Sequence, residues 1–89
     1  MPREDEKDNE EKGSPSRRLF AERLRVERRK RGWSQEQLGE RANLSWNYIG
    51  QVERKVRNIS IDNMDALARA LDMPLADLLR EPGPVEGQD

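Results

Sequence analysis

The sequence predicts an all-α fold, a compact domain of five short helices between two acidic tails. Three observations carry this expectation. Apolar residues recur at spacings of three and four through the middle of the chain, the period of a helix with one buried face. No segment alternates β-branched and polar residues in the two-residue period of a strand. Serine, asparagine, glycine and proline stand where such helices would begin and end.

Composition alone gives a different impression. The 89 residues are 39% charged, 33% hydrophobic and 4% aromatic, a balance that leans toward disorder. The charge is unevenly placed, however. Residues 1–16 carry six acids and three bases, and residues 81–89 carry three acids, no base, two prolines and two glycines. Neither end can bury enough apolar surface to offset the entropy of ordering, so both are expected to be disordered tails. The domain between them, 17–80, has 14 Lys and Arg against 9 Asp and Glu, a net charge of +5. The whole-chain charge of −1 therefore masks a basic core.

The sequence contains no cysteine and no histidine. Disulfides, thiolate metal sites and histidine-based catalysis are thereby excluded, and no cofactor or metal is expected. No apolar run approaches the length of a membrane span, and the N-terminus is acidic where a signal peptide would be basic. A cytoplasmic, nucleoid-associated protein is expected, with no membrane partner and no small-molecule effector domain.

The first helix is expected over Arg17–Arg31, capped by Ser16, with Leu19, Phe20, Leu24 and Val26 apolar and Gly32 as its stop. The charge run at 27–31 fits a solvated face. Ser34 and Gln37 form a capping-box pattern that opens the second helix, which ends near Ala42. Asn43 suits a left-handed turn. The third helix starts at Ser45 and carries Ile49 and Val52. Asn58-Ile59-Ser60 reads as a turn and a new cap, followed by Ile61, Met64, Leu67, Ala68 and Leu71 on a fourth helix. Pro74 opens the fifth as its first residue, with Leu75, Leu78 and Leu79.

The most informative stretch runs from Gln35 to Arg54. Counting Gln35 as position one, Leu38, Gly39, Ala42, Leu44, Ile49 and Val52 fall at four, five, eight, ten, fifteen and eighteen. Two helices that cross steeply through a three- or four-residue turn need a very small residue at the crossing, here Gly39, and a turn centre tolerant of positive φ, here Asn43. Each apolar residue alone is ordinary core. Together they describe a helix-turn-helix.

Several signatures then agree: Arg28 seven residues before Gln35, the Gly32-Trp33-Ser34-Gln35 opening, the Asn43-Leu44-Ser45 turn, Ile49, Glu53 and the closing Ala66-Leu67…Leu71. From about Phe20 to Leu79 the chain resembles the phage-repressor, Cro-like helix-turn-helix family, also called the xenobiotic-response-element family. The segment from Tyr48-Ile49 through Glu53-Arg54 to Arg57-Asn58 is similar to restriction–modification controller proteins. The resemblance implies a role for Gln35 as donor to a DNA phosphate at the start of the second helix. It implies a recognition helix opened by Ser45, Trp46, Asn47 and Tyr48, whose first residues face base edges. Asn47 is suited to adenine and Trp46 to a thymine methyl or sugar edge. Gln51 is placed to meet a base or phosphate. Arg54, Lys55 and Arg57 are candidate phosphate contacts, as are Arg17 and Arg18, with Arg54 and Arg57 the preferred pair and residues 29–31 left out as part of a solvated charge run. Arg28 and Glu53 are implied to form a partly buried salt bridge between the first and third helices.

The resemblance also implies a homodimer whose interface involves the fifth helix, through Leu75, Leu78 and Leu79. The expected function is a transcription regulator of double-stranded DNA acting on a palindromic operator. The alternatives are an antitoxin coupled to a protein toxin, against which the tails' lack of hydrophobic anchors counts, and an interaction module without DNA binding. An enzyme is not expected.

Overall fold

The computed structural model describes residues 13–81. Among the described residues five α-helices follow one another: α1 (Pro15–Lys30), α2 (Gln35–Ala42), α3 (Trp46–Glu53), α4 (Ile61–Ala70) and α5 (Leu75–Leu78). No strand occurs among the described residues. Most of the two predicted tails, residues 1–12 and 82–89, lies outside the described residues.

Helix α1 begins two residues before the expected boundary at 17. Ser14, not Ser16, is the N-cap; its hydroxyl accepts from the Arg17 N–H at 3.2 Å, and Pro15 fills the first helical position. Proline is favoured there because its φ is preset and it has no N–H to leave unsatisfied. The same logic corrects α5. Pro74, with ψ 141°, is the N-cap, and helical geometry starts at Leu75. The other starts fall as the sequence predicts, with Ser34 in a full capping box and with Ser45 and Ser60 each accepting a backbone N–H three residues on.

The core is formed by Phe20, Ala21 and Leu24 of α1, Leu38 and Ala42 of α2, Ile49 and Val52 of α3, Met64, Leu67 and Ala68 of α4, together with Ile59, Leu71 and Leu78. Three apolar residues assigned to buried stripes sit outside it: Val26 and Ile61 are exposed and Leu19 is half-buried. Val26 falls on the solvent face of α1, and Ile61, the first residue of α4, lies at the rim of an open groove.

The charge run at 27–31 departs furthest from expectation. Only part of it is a solvated face: Arg29 and Lys30 are exposed, whereas Glu27 and Arg28 are both buried. Glu27 accepts from Arg31 at 2.8 Å, Arg23 at 3.2 Å and Lys30 at 3.3 Å. Arg31 donates onward to the Leu71 carbonyl at the end of α4, and Arg23 to the Asp77 and Arg80 carbonyls at the end of α5. One carboxylate thus organises the arginines that fasten α1 to the C-terminal ends of two other helices. Burial pushes the Glu27 carboxyl up, but hydrogen bonds from Arg31, Arg23 and Lys30, with the Lys30 charge, outweigh it and hold the pKa below the ordinary 4.5. A carboxyl depressed on folding stabilises the native state above its unfolded pKa, and that stability is lost as pH falls through the folded value. Glu27→Gln should therefore melt well below wild type at neutral pH, and the two melting curves should converge below the ordinary carboxylate range. A gap independent of pH would contradict this.

Candidate nucleic-acid interface

The helix-turn-helix is built at two points of backbone contact. A Cβ on Gly39 would lie 2.5 Å from the Leu44 carbonyl oxygen, so only glycine lets the turn fold back against α2. Asn43 holds φ 61°, and the Leu44 N–H returns to the Gly39 carbonyl at 2.9 Å. A short amide side chain is among the few that tolerate this left-handed geometry. Ser45 then caps α3, accepting from the Tyr48 N–H at 3.0 Å.

Helix α3 is held from behind. Ile49 and Val52 are buried. The Arg28 guanidinium donates to both Glu53 carboxylate oxygens, at 2.8 and 2.9 Å, and to the Trp33 carbonyl at 2.8 Å. The same Glu53 takes a third donor, the Gln35 amide, at 3.1 Å. The buried bridge is present as the resemblance implied. Gln35 is turned partly inward, with one of its two amide N–H groups given to Glu53.

This anchoring leaves the opposite face of α3 outward. Trp46 is 55% exposed, and Ser45, Asn47 and Arg54 are also exposed, with Gln51 half-buried. Tyr48 packs its ring against the core, and its hydroxyl accepts from the Asn63 amide of α4 at 3.0 Å. Arg57 donates to the Gln51 side chain at 3.1 Å while its guanidinium lies 5.2 Å from the Tyr48 ring centre. Asn47, Tyr48, Gln51, Arg57 and Asn63 line an open cleft of about 400 Å³. Asn63 was not singled out in the sequence, since nothing local marks it as the residue that orients Tyr48.

Three other candidates are placed differently. The Lys55 ammonium is paired with Glu22 at 2.7 Å. The Arg17 Nε–H donates to the Ile59 carbonyl, and Arg18 donates to the Gly13 carbonyl. Of the three leucines assigned to a dimer contact, Leu78 is fully buried within the monomer, while Leu75 and Leu79 are only partly covered. Leu78 is drawn inward because it sits where α5 closes over the core, so it cannot present a side chain to a second chain.

A helix-turn-helix family model matches residues 24–78. The chain is 42% identical over 65 residues to the control protein C.SmaI of Serratia marcescens, covering 73% of this chain and 77% of that one. It is 38% identical over 66 residues to a hypothetical transcription factor of Neisseria meningitidis, covering 74% of this chain and 62% of the relative's length. The crystal structure of that Neisseria factor superposes with a TM-score of 0.71 at 37% identity, over 75% of this chain and 77% of the other. The regulator of biofilm formation SinR, solved in complex with DNA, superposes with a TM-score of 0.65 at 27% identity, over 68% of this chain and 98% of the other. The chain belongs to the helix-turn-helix family of DNA-binding transcription regulators.

Proposed function

We propose that this chain reads a specific sequence in double-stranded DNA by laying α3 in the major groove, and that it does so as a homodimer on a palindromic operator. The observation that carries this reading is the two-sidedness of α3. Its inner face is fixed by Ile49, Val52 and the Arg28–Glu53 bridge, and its outer face offers Trp46, Asn47 and Gln51 without core duties. A helix pinned in this way presents hydrogen-bonding side chains at fixed positions, which base discrimination requires. Gln35, Ser45, Tyr48, Arg54 and Arg57 surround this face as candidate contacts to DNA. The likeness to a control protein of the C.SmaI type supports the regulatory role.

One such helix reads only a few base pairs, so two-fold pairing is the economical route to specificity, with half-sites about 34–36 Å apart. Ile61 is 63% exposed. Together with Ile59, Met64 and Leu79 it borders an open apolar groove of about 250 Å³. This surface, and the partly covered Leu75 of α5, suit a second copy of a domain too small to build a large core of its own.

Selection from a random duplex pool should return a palindrome, and sedimentation with that duplex should give two chains per site. Asn47→Ala should weaken binding to the selected site by about 1–3 kcal/mol and relax the preference at one base pair per half-site, with an unchanged melt. A pool that returns no common sequence, or Asn47→Ala binding as wild type does, would count against α3 as the reader.

A further inference from the structure

On the α1 side of α3 lies a second cleft, of about 170 Å³, lined by Arg25, Arg28, Arg29, Gln35, Glu53 and Arg54. Four arginines thus face one carboxylate, and that carboxylate is already bonded to both Arg28 and Gln35. Arg25, Arg29 and Arg54 are exposed and have no carboxylate partner among the described residues. Two of the side chains that line it, Gln35 and Arg54, approach each other over Gly50. A Cβ there would lie 3.1 Å from the Gln35 Oε1 and 3.3 Å from the Arg54 Nη1, so its absence lets those two side chains converge over α3. Like charges gathered without a counterion repel one another, and an external anion would relieve that repulsion.

The position of the cleft identifies the anion. On a helix of 3.6 residues per turn, Asn47, Gln51 and Arg54 form the outward ridge of α3. Gly50, Glu53 and Arg54 fall on one flank, towards α1 and α2; Tyr48 and Gln51 fall on the other, towards α4 and Arg57. A helix in the major groove, about 12 Å wide, is bordered by a sugar–phosphate strand on each side. We infer that Arg25 and Arg29, with Arg54, grip the phosphates of one strand while Arg57 meets the other, so that the duplex is held from both banks. Arg25 and Arg29 are then positioning contacts to the backbone, outside the base-reading set. The inference rests on the proposed DNA binding, which the test below separates from it.

The test compares wild type, Arg25→Gln/Arg29→Gln and Arg25→Lys/Arg29→Lys on the selected duplex and on an unrelated one, each over a range of salt concentrations. Loss of two phosphate contacts should lower the steepness of log K against log salt by about 1.8 and weaken both duplexes by a similar factor, about tenfold or more at low salt. The lysine pair should restore most of the slope, and the thermal melts of all three proteins should agree. A glutamine variant with wild-type slope and affinity overturns the inference while leaving DNA binding by α3 intact. So does saturable binding of inorganic phosphate to wild type with duplex binding unchanged in the glutamine variant, which would mark a pocket for a free anion. A wild type that binds neither duplex overturns both proposals.

Discussion

Replacing Glu53 with alanine lowers the melting temperature by more than about 10 °C. Glu53 is 6% exposed, and its carboxylate takes three hydrogen bonds, two from Arg28 and one from Gln35. Its removal leaves the guanidinium of the buried Arg28 without its counterion, a loss of about 3–5 kcal/mol for a buried pair. In a domain of this size each kcal/mol shifts the midpoint by roughly 4–8 °C. In the wild type the hydrogen bonds from Arg28 to the Glu53 carboxylate hold the Arg28 pKa above its ordinary value. Without Glu53 that support is gone, yet a guanidinium is not deprotonated at any working pH and so stays charged and unpaired. Glu53→Gln, which keeps the shape and the acceptor oxygen, should recover part of the loss. Differential scanning calorimetry decides the matter: a midpoint within a few degrees of wild type in the alanine variant would show that the bridge contributes little.

Gly39→Val should be as damaging by a different route. The obstacle is backbone, since the Leu44 carbonyl would stand 2.5 Å from the new Cβ and cannot rotate away as a side chain would. Overpacking of an ordinary core site costs about 1–3 kcal/mol, and a rigid neighbour places this one at or beyond the top of that range. The strain falls on the turn that sets the angle between α2 and α3. DNA binding should therefore fall even at temperatures where the variant remains folded. Circular dichroism melts paired with duplex titration at low temperature test both parts; a folded variant with wild-type affinity would show that the turn can adjust.

The sequence speaks clearly where one residue answers to one local demand. Ser34, Ser45 and Ser60 cap helices because a hydroxyl there meets an orphan N–H, and Asn43 and Gly32 stop helices because they accept positive φ. It is silent where an unlikely residue does the same work. Lys55 and Asp72 also hold positive φ, at 66° and 60°, and no local pattern announces them. The charge run 27–31 is misleading for a related reason. Charges along a helix look alike in one dimension, and only the ends of α4 and α5 in space turn Glu27 and its arginines into a fastening. The two flanks of α3 follow the same division. Asn47 and Gln51 are recognisable from their place in the motif, whereas Arg25 and Arg29 lie on a different helix and gain meaning only through the cleft they share with Gln35.

The arrangement behind α3 bears on how such a regulator diversifies. Everything that fixes the helix, from Ile49 and Val52 to the Glu53 carboxylate, lies on its inner side, and none of it depends on what Asn47 or Gln51 happens to be. If α3 reads DNA as proposed, substitutions at those outer positions would recode the preferred sequence at little cost in foldedness, so a duplicated copy could drift to a new target and become insulated from its parent. The frame is conservative and the lettering on it is free to change.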